Sequence, residues 1–496
     1  MKTPLNFDGS FSVSLLGAPI LLIFLVFVSP ASFAQYESEA LRYAMLNHSG
    51  SARFLGMGSA LGALGSDFSC ISHNPAGLGF YRNSQLTVSP SFYLSTSNAD
   101  YQGQTFADDK FNFNFGSIGL VYSLRTNRSK KTGLQFMNFA LGYNRINNFN
   151  QIIYFEGTDS QYSLGESLRQ NSQGYMPASL NPFESLLAFN TYLIDTSGSA
   201  SYYISNAPAN LDKRMSRLIH TRGSIGEIAL GASANFSHKF FVGANLSIAT
   251  LNFKTTQTYE EIDYQNLDPD FNSLRFTEDL DVSGVGVNLK LGFIYRPLNW
   301  FRVGLSIHTP TWYNMSETYV HQLQTDFNFG KYSAQSPAGS FDYDFTSPWR
   351  LQASLGFVLR KRIALGVDYE LVDYGAISLR PSSSTFLDAN AFIDSHYVVT
   401  HNIRLGGEFR IDPFRIRAGY RYQMNPLSSA LNTDLSAHHI SVGGGYRARK
   451  WFTFDVAYVL TLTHSSPIMN RYFDLLPPAS VSKQYHNVVI TVGFHF

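Results

Sequence analysis

The chain has 496 residues, a formal charge of +1 and only 15% charged residues, against 29 Tyr, 41 Phe and 38 Gly. That balance gives no electrostatic footprint for nucleic acid or an anionic surface, and one cysteine, Cys70, excludes an internal disulfide framework. A chain this long would ordinarily split into several globular domains, yet no Pro/Ser-rich linker, charge block or composition shift divides it, so one long closed sheet fits better.

Residues 1–34 read as a separate unit. Lys2 is the only cation of a weak n-region, Leu15 to Val28 is free of polar side chains, and Ser32-Phe33-Ala34 supplies small residues at the peptidase positions. An apolar run this short with such a site predicts a cleaved signal peptide and a mature start near Gln35. No later segment approaches the roughly twenty apolar residues of a spanning helix. The protein is therefore exported, and either secreted or embedded through strands.

Residues 35–83 do not read as sheet. Ser49 to Gly79 is small, Gly-rich and interrupted, with Gly56-Met57-Gly58 and Asn74-Pro75-Ala76-Gly77-Leu78. Gly56, Gly58 and Gly62 lack the spacing and the strand–turn–helix setting of a nucleotide loop.

From Arg222 onward the chain is a series of segments with strict period-two alternation. Strands are predicted near 84–96, 111–125, 133–148, 222–236, 239–253, 280–295, 300–315, 345–359, 362–378, 397–411, 414–425, 437–447, 451–464 and 484–496, about fourteen. In 285–295, for example, Val285, Val287, Leu289, Leu291 and Phe293 oppose Gly286, Asn288, Lys290 and Gly292. The apolar faces carry no charge, as lipid demands, because a charge at the bilayer midplane costs on the order of 2–4 kcal/mol. The opposite faces mix Asp368, Glu370, Glu408 and Asp455 with Arg350, Arg404, Arg410, Arg415, Arg417, Arg421 and Arg447, as a wet, ion-paired lumen would. The fold class expected is all-β, a transmembrane antiparallel β-barrel of about 14 strands over 84–496 with residues 35–83 as an N-terminal lumen hatch.

Connections after even-numbered strands are short, such as Asp412-Pro413. Those after odd-numbered strands are long: 149–221, 254–279, 316–344, 379–396 and 465–483. Short periplasmic turns and long external loops are the rule for bacterial barrels. The last strand ends on Phe496, alternating with Phe494, Val492, Ile490 and Val488.

Two segments stand out. Phe111, Phe113 and Phe115 share one parity while Ile118, Leu120, Tyr122 and Leu124 take the other, and a switch at Gly116-Ser117 predicts a bulge. A second parity change is expected between Phe136 and Phe139. The long external loop 149–221 contains Asn181-Pro182-Phe183-Glu184, a helix start with Pro at its first position. Phe183, Leu186, Phe189 and Leu193 follow as an apolar surface that needs cover, which packing as a cap on the barrel rim would give.

The Gly-x-Gly and Asn-Pro-Ala-Gly-Leu elements, the strand count, the terminal aromatic and segments such as Pro348-Trp349-Arg350 resemble the long-chain fatty-acid and hydrocarbon outer-membrane transporters, the FadL/TodX-like family. The resemblance implies a hatch built on Gly56, Gly58, Asn74, Pro75, Ala76 and Gly77. It implies passive uptake of hydrophobic small molecules such as long-chain fatty acids, and lateral exit at a kinked early strand, for which Gly116 and Ser117 are the candidates. For the apolar surface of Phe183, Leu186, Phe189 and Leu193 it implies a second role, taking up ligand. It also implies that the terminal aromatic is read by the outer-membrane assembly machinery. A carboxylate headgroup would fall to Arg404, Arg417 or Arg421. The expected setting is the outer membrane of a Gram-negative bacterium. Expected partners are membrane lipid and a hydrophobic ligand, with a monomeric barrel and neither cofactor nor nucleic acid. Two alternatives stay open: a secretion-system shuttle barrel binding protein cargo, and a porin for polar solutes. Catalysis is not expected. His308, His438, His439, His464 and His495 have no nucleophile at motif spacing, and adjacent His438-His439 point to opposite faces, so no metal pair is expected either.

Overall fold

The computed structural model describes residues 36–496 apart from 48, 127–131, 208, 383–384, 449–450, 465 and 469–477. The expected signal peptide lies outside the described residues.

Among the described residues fourteen antiparallel strands form one closed ring. They are β1 (Gln85–Tyr101), β2 (Gln104–Arg125), β3 (Leu134–Asn148, continued by Gln151–Asp159), β4 (Lys213–Phe236), β5 (Phe240–Ile262), β6 (Phe271–Tyr295) and β7 (Phe301–His308, continued by Trp312–Phe327). After them come β8 (Gly339–Thr346, continued by Arg350–Leu359), β9 (Ile363–Asp373), β10 (Val399–Ile411), β11 (Phe414–Gln423), β12 (Ala437–Ala448), β13 (Phe452–Thr463) and β14 (Ala479–His495). Each strand pairs with its sequence neighbour. The ring closes through β1 on β14, from Gln85↔His495 to Asp100↔Ser480. Among the described residues closure leaves no edge except along β2 beyond Ser117, where β3 does not pair with it, and elsewhere satisfies the backbone groups that face lipid.

The alternation places side chains as read. Val285, Leu291, Leu305, Leu351, Leu405, Ile416 and Val442 face outward and are exposed, while Arg350, Arg404, Arg417, Glu370 and Glu408 face inward and are buried. The external connections differ from expectation. Much of 254–279 and 316–344 is strand, because β5, β6 and β7 run on well above the lipid-facing rows. Above the lipid the outward faces turn polar and charged while the inward faces stay buried, so an uncharged outward row no longer marks the strands there. Lys254 and Asp281, for example, form an ion pair on the outer face. Strands β7 and β8 are each interrupted at a proline, Pro310 and Pro348, whose missing N–H breaks the ladder.

The second expected parity change is not a bulge. Pairing of β3 with β4 runs unbroken from Phe136 to Arg145, and Phe136 faces in while Phe139 faces out. In the 149–221 loop the helix begins at Ser185, three residues after Pro182, and ends at Asn190. Asn181 caps the preceding turn instead, accepting from Phe183 N–H at 2.9 Å.

The described residues of 36–83 lie inside the ring. Helix α1 (Tyr36–Ala44) stands among inward aromatic residues of the external half. Helix α2 (Ala52–Gly56) packs on β11 to β14, and a 3₁₀ turn over Pro75–Phe80 packs on β4 to β6.

Candidate transport path: the lumen, its inner segment and a slit in the wall

The inner segment is built by local caps. Ser51 and Asp67 each cap a short helix, accepting from Phe54 and Ser69, and they bond each other at 2.7–2.8 Å. Asn74 caps the 3₁₀ turn through Ala76 N–H (3.2 Å), and its amide donates to the Gly62 carbonyl at 2.8 Å. Pro75 then occupies the first helical position, where its missing N–H is harmless. The Asn-Pro-Ala-Gly-Leu element is thus a self-capping corner tied back to the chain twelve residues earlier.

Small residues let this segment touch the wall. Gly406 and Gly419 are paired across β10 and β11, and the backbone of Met57-Gly58 fills the space their side chains would occupy. Gly58 has φ +58, and a Cβ there would lie 2.5 Å from the Leu405 carbonyl oxygen and 2.8 Å from the Tyr420 nitrogen. Only glycine suits both demands. Gly56, which precedes it, lies against Gly443.

Polar groups complete the seal. Wall amides and a guanidinium donate to carbonyls of the segment: Asn138 to Leu78 (3.0 Å), Asn235 to Gly79 (3.1 Å), Asn245 to Ile71 (3.0 Å) and Arg302 to Leu64 (2.6 Å). Wall carboxylates receive its donors. Asp368 accepts from Gly62 N–H at 2.9 Å and lies 3.1 Å from His73 Nε2, and Glu408 pairs with Arg53 at 3.3 Å. Buried charges of this kind hold only when their partners are fixed around them.

This network decides among the three arginines singled out in the sequence. Arg417 is committed to Glu408 (2.9 Å) and Asp455 (2.6 Å), and Arg404 to Glu370. Arg350 also pairs with Glu370, at 2.9 Å, and donates to the Ala44 carbonyl at 2.6 Å. Arg421 has no carboxylate partner among the described residues. It donates to Asn47 Oδ1 (2.8 Å) and faces His439 (2.9 Å), beside a cavity of about 30 Å³ lined also by Tyr93, Tyr485 and Asn487. That space suits water rather than an alkyl chain.

Above the polar zone lies an apolar cluster. Leu41, Tyr43 and Ala44 of α1 pack with Ile146, Phe149, Phe253, Val282, Met315 and Phe345 from the wall in one buried cluster. Sequence alternation signalled the inward polar rows but not this cluster: Ile146, Phe253, Val282, Met315 and Phe345 fall at the outer ends of predicted strands, where an inward apolar side chain reads no differently from an outward one.

The wall is incomplete beside that cluster. Strand β1 pairs with β2 as Ser89↔Ser117 and then Pro90↔Phe115, leaving Gly116 as an extra residue. Strand β2 pairs with β3 only from Ser117↔Asn144 to Arg125↔Phe136. Beyond the bulge no backbone ladder joins them among the described residues, because the continuation of β3 pairs with β4 alone. Side chains bridge the gap: Asn148 to Asn112 at 3.4 Å, and Asp108 accepting from Tyr154 N–H at 2.8 Å. Phe111, Phe113 and Phe115 flank the slit on its outer face, and Ser49-Gly50 presses on Gly116 from within.

The capture residues lie in a folded cap. Leu193 is fully buried, with Leu164, Leu168, Leu187, Ile194 and Tyr203, while Leu186 and Phe189 pack on its edge. Phe183 lies over Tyr319, ring centroids 4.9 Å apart.

A closed fourteen-strand barrel with an apolar outer face and an occupied lumen defines an outer-membrane transport channel. The chain belongs to the family described as outer membrane protein transport protein (OMPP1/FadL/TodX), whose model matches residues 225–496. No curated protein matches it at the sequence level. Among solved structures, a FadL homologue of Pseudomonas aeruginosa is 11% identical, covering 91% of this chain and all of that one, with a TM-score of 0.56. The Pseudomonas putida toluene transporter TodX (12%, the same coverage, TM-score 0.52) and the Ralstonia pickettii toluene transporter TbuX (14%, 91% and 99%, TM-score 0.51) share the fold.

Proposed function

We propose that the protein admits hydrophobic small molecules passively across the outer membrane. Residues 35–83 serve as the hatch of a barrel spanning 84–496, and cargo leaves sideways through the slit above Gly116-Ser117. One observation carries this reading: Ile146 of β3 and Phe149, in the break before its continuation, belong to the apolar lumen cluster and border the slit. An apolar molecule can move from that cluster into lipid without crossing the charged zone around His73, Asp368 and Arg404. A porin for polar solutes would keep a polar, water-filled lumen at this level rather than a packed apolar cluster. The transport of toluene by TodX and TbuX, named for that substrate, fits a cargo of this kind. The cap residues Phe183, Leu186 and Phe189 are the first apolar contact outside.

Long-chain fatty acids are the finer expectation, with Arg421 as the group that meets the carboxylate, since Arg404 and Arg417 are already paired. The test is uptake of labelled toluene, decane, oleate and glucose by cells carrying the barrel as their only such channel. Uptake of the first three without glucose supports the reading, and glucose uptake alone would replace it with a porin. Arg421→Gln should weaken oleate uptake while leaving decane unchanged.

A further inference from the structure

Three cross-strand pairs on the outer face repeat one geometry. The Tyr369 hydroxyl lies 2.6 Å from His401 Nδ1, Tyr420 2.8 Å from His438 Nδ1, and Tyr458 2.7 Å from His486 Nδ1. Ring centroids are 5.9–6.1 Å apart and the planes 26–32° from parallel in all three. The register is the same each time. The tyrosine sits opposite an aliphatic residue (Ile403, Ile440, Val488), and the histidine comes two positions before that residue.

The height is also the same. Each histidine lies about ten residues from the periplasmic end of its strand, the length a tilted strand needs to cross lipid. Below the histidines the outward rows are apolar: Ile403, Leu405, Phe409 and Ile411, then Ile440 and Val442, then Val488 and Phe494. Above His486 the outward positions turn polar, with Gln484 and Ser482. Strands β10 and β12 begin only two residues or one residue above their histidines. The three imidazoles therefore stand where acyl chains give way to head groups.

A tyrosine hydroxyl donating to Nδ1 fixes the imidazole with its proton on Nε2, the nitrogen turned away from the pair. Three such N–H groups at one level, over the half of the barrel from β9 to β14, form a row of donors to the outer leaflet. We propose that these Tyr–His pairs bind the phosphate groups of a phosphorylated glycolipid of the outer leaflet. The apolar rows below receive its chains, and each Nε2–H donates to a phosphate oxygen. A belt of tyrosines alone would serve a membrane interface equally well, so it is the repeated addition of histidine that needs a phosphate partner.

The experiment is native mass spectrometry of the full-length barrel in non-ionic detergent. It is titrated with bisphosphorylated lipid A, with the same lipid stripped of phosphate, and with inorganic phosphate. The phosphorylated lipid should bind at least about tenfold more tightly than the stripped one, a difference of about 1.4 kcal/mol. His401→Leu/His438→Leu/His486→Leu should erase that preference while heat-modifiable migration shows the barrel folded. Tyr369→Phe/Tyr420→Phe/Tyr458→Phe, which keeps the imidazoles but frees their orientation, should lose part of it. Equal binding of both lipids, an unchanged preference in the histidine variant, or inorganic phosphate binding as tightly as the lipid would each overturn the proposal.

Discussion

Gly58→Ala probes how firmly the inner segment is seated. The substitution places a methyl group on a residue with φ +58, a left-handed conformation costing about 1–2 kcal/mol for an L side chain. The methyl would also stand 2.5 Å from the Leu405 carbonyl oxygen and 2.8 Å from the Tyr420 nitrogen, both backbone atoms of paired strands that cannot yield. Overpacking of that kind costs typically 1–3 kcal/mol. The sum, about 2–5 kcal/mol, raises the population of the displaced segment by a factor of about 30 to several thousand. Because β10 and β11 keep their ladder, the strain falls on the inner segment. Planar-bilayer recording should show ion-conducting events in the variant that are rare in the parent. Hydrogen exchange should lose protection over residues 52–60 with the strands unchanged. Parental conductance together with parental protection would refute the seating described above.

Asn74→Ala removes a cap and the bond to Gly62, each worth about 1 kcal/mol. Limited proteolysis should cut near residues 62–80 faster in that variant, with the barrel intact. Glu317 stands beside α1, beyond the predicted span ending at 315 and next to the level where Lys254 and Asp281 pair outward. Burial first, then the nearby Glu39 carboxylate, pushes its pKa up to about 7. Because this carboxyl titrates higher in the folded chain, its ionisation opposes folding as pH rises from about 4.5 toward 7. The effect reaches up to about 3 kcal/mol above that range and vanishes below it. Exchange protection of α1 should therefore fall between pH 5 and 8, and Glu317→Gln should flatten the profile. Leu193→Asp buries a charge in the cap core and should open residues 163–205 to protease while insertion stays normal. Phe183→Ala, at the cap surface, should leave the cap folded and lower uptake.

The membrane-facing part of the fold was legible because lipid enforces a strict rule: the rows of β6, β9, β10 and β11 exclude charge on one face, and period-two alternation follows directly. The same rule explains what was missed. Above the membrane the outward face of those strands carries Lys254, Glu260 and Asp281 while the inward face buries Phe253, Tyr259 and Phe276, so the uncharged outward row ends and those extensions read as loops. Gly116 was legible as a parity switch, since one extra residue reverses every side chain beyond it. The lost pairing of β2 with β3 was not, because which strand a segment pairs with leaves no mark in its own alternation. The commitments of Arg404 and Arg417 were equally hidden, since each pairs with a residue on another strand. The inner-segment side of the same network, Arg53 on Glu408 and His73 on Asp368, joins positions hundreds of residues apart.

Lateral exit is tested most directly by tying the slit shut. Asn112 and Asn148 touch across it at 3.4 Å, and Asn112→Cys/Asn148→Cys can be joined there without involving buried Cys70. Uptake of labelled toluene or oleate by cells carrying this variant should be lost on oxidation and restored by reductant, with surface expression unchanged. Parental uptake through the oxidised, cross-linked barrel would contradict the account and send the cargo through the periplasmic end instead.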